Sequence, residues 1–95
     1  IIISEIFSML LFSVFITKSM CLNLLKSKYS TSLYIKIELQ KEKSTGYETI
    51  ETWTKSGTGR ILVLEEDRLI NIFSDYRIKV TCTAGSETHV TYDYP

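Results

Sequence analysis

Two stretches of the chain alternate strictly between apolar and polar residues. In 33–40 (LYIKIELQ), Leu33, Ile35, Ile37 and Leu39 fall on one side and Tyr34, Lys36, Glu38 and Gln40 on the other. In 76–84 (YRIKVTCTA), Tyr76, Ile78, Val80, Cys82 and Ala84 oppose Arg77, Lys79, Thr81 and Thr83. A period of two is the signature of a strand with one buried face. Residues 47–54, rich in Thr, Ile, Tyr and Trp, suit a pleated surface. Residues 60–65 and 69–73 carry apolar side chains on both parities, as strands covered on both sides or lying at a bend do. Residues 89–94 alternate again, with Val90, Tyr92 and Tyr94 against His89, Thr91 and Asp93. A further short strand within 22–29 is left open.

The joints between these runs carry turn chemistry. Residues 41–46 and 55–59 are polar and contain glycine, which reads as two hairpin loops. The charge run 65–68 reads as a solvated turn or a single helical turn. Short strands recurring about every 8–12 residues predict an all-β antiparallel sandwich of about six or seven strands.

The N-terminal segment has a different pattern. Nine of the eleven residues 6–16 are large and apolar, and the first 17 residues contain one charge, Glu5. The run is shorter than the roughly 20 apolar residues a spanning helix needs, and matches the 7–15 of a signal-peptide core. Small residues near Ser19 would suit cleavage. The division expected is therefore a leader or membrane-anchoring helix over 1–19 and one β-sandwich domain over 20–95. A lipid-attachment signal ending at Cys21 fits poorly, because Lys18 and Met20 stand where its motif needs Leu and small residues. The remaining arrangement is α+β, with an N-terminal helix packed on the sheet. That helix would be apolar nearly all round, which suits burial in a large protein or a membrane.

Composition narrows the function. Eleven basic side chains balance eleven acidic ones, whereas a nucleic-acid binder normally carries a basic excess. His89 is the single histidine, and no metal-ligand spacing of Cys or His occurs. Ser56-Gly57-Thr58-Gly59 has neither the order of a nucleophile elbow nor the ending of a phosphate-binding loop. Glu48, Glu51, Glu65, Glu66 and Asp67 lie in polar settings that leave a carboxylate ordinary. Neither catalysis nor a cofactor is expected.

Cys21 and Cys82 would form a disulfide if cleavage at Ser19 leaves both in an oxidising compartment. Cleavage after Cys21 would leave Cys82 as a lone buried thiol, and pairing between two chains is the third arrangement. Among the aromatics, Trp53 and Tyr76 are expected to help fill the core. Tyr34, Tyr92 and Tyr94 are candidates for contact with a partner, a role Tyr commonly serves.

Residues 35–39, 52–62 (TWTKSGTGRIL) and 76–81 together resemble the transthyretin-like (prealbumin-like) β-sandwich. Immunoglobulin-like and fibronectin-like domains carry similar short segments. The family's hydrolase branch uses several His and Arg residues and a C-terminal Tyr-Arg-Gly-Ser, which this chain lacks, so the resemblance implies a fold and no activity. The function expected is a small secreted, extracellular, non-catalytic binding module. The alternatives are a surface domain tethered through its N-terminal segment and a carrier of a small apolar ligand.

Overall fold

The computed structural model describes residues 2–10, 14–22, 31–70 and 73–94, and the side chains of 17–21, 32–70 and 73–94. The strands are β1 (Ile2–Leu10), β2 (Val14–Leu22), β3 (Thr31–Lys43), β4 (Gly46–Gly59), β5 (Ile61–Leu69), β6 (Tyr76–Ala84) and β7 (Glu87–Asp93). They form two antiparallel sheets, ordered β1-β2-β5 and β4-β3-β6-β7. The described residues contain no helix, and none long and apolar enough to cross a membrane.

The α+β arrangement is thereby corrected, because the apolar N-terminal segment contributes strands. The central strand β2 pairs with β1 from Ile2↔Leu22 to Leu10↔Val14 and with β5 from Val14↔Leu69 to Leu22↔Ile61. Pairing on both sides gives its backbone N–H and C=O groups partners along its whole length. The run expected within 22–29 falls mostly outside the described residues.

The core follows the parity of β3 and β6. Their register sets Leu33 beside Ala84, Ile35 beside Cys82, Ile37 beside Val80 and Leu39 beside Ile78. All eight are buried, and Cys21, Leu62 and Leu64 of the other sheet close over them. Tyr76 is buried and Trp53 packs partly buried against the cluster. Cys21 and Cys82 are joined by a disulfide, with Cα atoms 5.8 Å apart, that ties β2 to β6 across the interior. Thr17 and Ser19, four and two residues before Cys21, are fully buried. A chain cut after Ser19 would keep both cysteines but lose β1 and most of the strand that brings Cys21 to the core.

Three joints differ from their expected form. Residues 55–59 continue β4, pairing with β3 from Thr31↔Gly59 to Ile35↔Lys55. Gly57 serves clearance there, since a Cβ would stand 3.2 Å from Leu62 Cδ1. The change of sheet comes at Gly59, whose φ of +130° suits glycine. The charge run 65–68 lies within β5, with Glu66 opposite Thr17 and Glu65 opposite Lys18. Residues 69–73 show no strand beyond Leu69 among those described. In the first two, long-range pairing outweighs the local preference of polar or glycine-rich sequence.

The open side between β4 and β5 is crossed by polar contacts. Lys55 Nζ donates to the Val63 carbonyl at 3.0 Å, and Arg68 Nε lies 3.6 Å from a Glu51 carboxylate oxygen. A bulge in β4 bears on the rest of the molecule. Leu39 faces Glu51 but Gln40 faces Thr49, so Ile50 is the extra residue. Ile50 packs partly buried against the core.

Candidate functional site

The bulge decides which way the first part of β4 faces. Counted by twos, Tyr47 and Thr49 would share a side with Trp53, on the inner face. The additional residue shifts their phase, and the pairs Glu42↔Tyr47 and Gln40↔Thr49 set them on the outer face of the four-stranded sheet. There they meet Arg77, the first outward residue of β6, which pairs with Gln40.

Arg77 is the centre of a cluster drawn from four strands. Its Nε donates to Gln40 Oε1 at 2.6 Å, and a terminal nitrogen donates to the Tyr94 hydroxyl at 3.2 Å. Gln40 in turn donates through Nε2 to Thr49 Oγ1 at 3.1 Å. The guanidinium carbon lies 3.9 Å from the centre of the Tyr47 ring, 4.6 Å from that of Tyr92 and 6.0 Å from that of Tyr94. Tyr47 and Tyr94 meet edge to face at 6.3 Å. A cation over an aromatic face is worth about 0.5–2 kcal/mol, rising as the pair is desolvated. Desolvation of the Tyr47 phenol raises its pKa above 10.0; Glu42, Tyr94 and Asp75 push the same way, and Arg77 opposes them.

The next rows of this face are charged and hydroxylated. Glu38 lies 3.1 Å from Lys36 on its own strand and 3.9 Å from Lys79 on β6. Lys79 Nζ is 6.0 Å from the Tyr92 ring centre. Thr83 and Thr88 share a hydrogen bond of 3.2 Å at the far end, in the row of Tyr34.

Strand β7 reverses the usual burial. Its pairs Cys82↔His89, Val80↔Thr91 and Ile78↔Asp93 align polar residues with the core positions of β6. Val90 and Tyr92, opposite Thr81 and Lys79, therefore stand on the outer face, 48% and 44% exposed. His89 is exposed, although it lies on the core-facing side of an edge strand. Polar residues on the inward side of an edge strand discourage further sheet pairing.

Of the tyrosines proposed as partner contacts, Tyr92 and Tyr94 meet at Arg77. Tyr34 is exposed on the same face but pairs with Thr83, six residues along β3 from Gln40. That is about 20 Å by strand rise. Tyr47, Arg77 and Gln40 were not evident as a group, because their meeting depends on the β3–β6 register and the Ile50 bulge. Among the described residues, no three His, Cys, Asp or Glu side chains converge as metal ligands. The sequence matches no family model and no curated protein.

Proposed function

We propose that the chain is an extracellular, non-catalytic interaction module whose contact surface is the outer face of the four-stranded sheet. The reversed polarity of β7 carries this reading. A solitary domain would turn Val90 and Tyr92 inward, whereas here they stand beside a cluster of tyrosines and an arginine. Tyr and Arg are enriched at protein interfaces, and rings already held by Arg77 lose little entropy on contact. The buried disulfide supports an oxidising compartment.

The arrangement also favours an immunoglobulin-type sandwich over the transthyretin-like alternative. A bridge from the second strand to the sixth, joining opposed sheets, is a hallmark of the immunoglobulin type. Two of its other hallmarks are altered: the tryptophan lies on β4 rather than on the third strand, and Val80 stands two residues before the second cysteine.

Site-specific photo-crosslinking on the folded chain tests the contact surface. A crosslinker at Val90 or Tyr34 should join one identifiable extracellular protein, and one at Glu65 on the other sheet should not. Equal labelling from both positions, or from Glu65 alone, would remove this face from the function. Recovery of the native protein with both thiols free to alkylate would overturn the extracellular assignment.

A further inference from the structure

Resting on the reading of this face as the contact surface, we propose that its partner is an acidic protein segment. Carboxylates of that segment would meet Lys36, Lys79 and Arg77, with Val90 and Tyr92 supplying apolar contact. Charge placement carries the argument. The whole chain is balanced at eleven and eleven, but these three cations share one stretch of sheet. The pairs Glu38↔Lys79 and Gln40↔Arg77 set Lys79 and Arg77 two residues apart on β6, and Lys36 lies one row beyond.

Among the described residues, one carboxylate sits between them. Glu38 is shared between Lys36 and Lys79. Arg77 pairs with no carboxylate among the described residues; its contacts are an amide oxygen, a hydroxyl and ring faces. Those contacts hold the guanidinium in place without neutralising it. Glu42 and Asp75 act on Tyr47 at the outer end of the cluster, so an acidic segment would lie along the β7 side, over Lys79 and Lys36. The run Glu65, Glu66 and Asp67 belongs to the other sheet.

A protein segment fits better than a sulfated polysaccharide. The cations are separated by tyrosines, threonines and a carboxylate, whereas binding a polyanion through phosphate- or sulfate-like groups calls for a dense basic stripe. Tyr and Arg set among polar side chains are the composition of a protein interface.

The test is an amide chemical-shift titration of the isotope-labelled full chain at 50 and 200 mM salt. The probes are a 12-residue Glu/Gly peptide, a Lys/Gly peptide and a Ser/Gly peptide of equal length, and a heparin tetrasaccharide. The Glu/Gly peptide should shift residues 36, 77, 79 and 90–92, more strongly at low salt. The double variant Lys36→Gln/Lys79→Gln, checked as folded by its amide spectrum, should weaken this binding by about tenfold, since rim charges act through electrostatic complementarity. Lys18→Gln, on the other sheet, should have no effect.

Binding of heparin without the Glu/Gly peptide would overturn the acidic-protein assignment and leave the contact face standing. So would equal binding of the Ser/Gly peptide at the same residues. Shifts confined to β5, or none on this face with any probe, would overturn both the partner and the contact face.

Discussion

At the scale of single residues, two hydroxyls and one phenol report on the interior and the surface. Thr17 Oγ1 and Ser19 Oγ are buried with no hydrogen-bond partner among the described residues. An unmade hydrogen bond at a buried group costs about 1–3 kcal/mol, and an apolar replacement of the same shape removes that cost. Thr17→Val should therefore stabilise the domain by about 1–2 kcal/mol, seen as a higher denaturant midpoint at constant slope. A lower midpoint would mean that the hydroxyl has a partner after all. Tyr47 gives a pH signature. Its folded pKa is raised above 10.0, so the folded state holds the proton more tightly than the unfolded chain. Its contribution is complete below pH 10 and is lost as pH rises from 10 through the folded value. Arg77 lowers this pKa, so Arg77→Gln should move the Tyr47 transition further up in an ultraviolet titration. A downward move would show that the guanidinium does not act on the phenol. None of this is legible in the sequence, where Tyr47 and Arg77 are 30 positions apart and Tyr47 has the parity of the inner face.

At the scale of elements, the apolar N-terminal run shows how one pattern serves two structures. A segment with nine large apolar residues in eleven satisfies a signal-peptide core, and equally a strand covered on both sides. Composition does not separate them. β2 lies between β1 and β5, and Cys21 sits with 0% exposure at its end. A chain beginning at Met20 should consequently lose cooperative unfolding, measured by near-ultraviolet circular dichroism on heating. A sharp transition in that chain would show that the four-stranded sheet folds without this strand. Strands β3 and β6 were legible almost residue by residue, because each buries one face and alternation records that burial. Residues 55–59 and 65–68 were not. Their serines, glycines and acids favour turns locally, and they become strands because β3 and β2 supply complete ladders of backbone partners.

At the scale of the whole molecule, the bridge between sheets dominates. Cys21 and Cys82 are 61 residues apart, and closing a loop of that length restricts the unfolded chain by about 4 kcal/mol. Small domains have total stabilities of about 5–15 kcal/mol. The double variant Cys21→Ala/Cys82→Ala should accordingly lose about 4 kcal/mol in equilibrium denaturation, a large part of the total. A loss below about 1 kcal/mol would mean that the core alone holds the sheets together. Alkylation of the denatured, unreduced protein should label neither cysteine. The same organisation separates the two sides of the four-stranded sheet: one closed on the core, the other left to Arg77, the tyrosines and the lysines.

The sequence by itself determined the class of this protein: alternating patterns specify strands, and their turn-punctuated spacing specifies antiparallel sheets. These are local quantities, set by which side of each strand must leave water. The tertiary structure alone decided the rest. Register brought Gln40 to Arg77, one extra residue at Ile50 turned Tyr47 outward, and edge placement left Val90 and Tyr92 in solvent. Each of these follows from pairing between residues distant in the chain, where a shift of one position exchanges the faces of a strand.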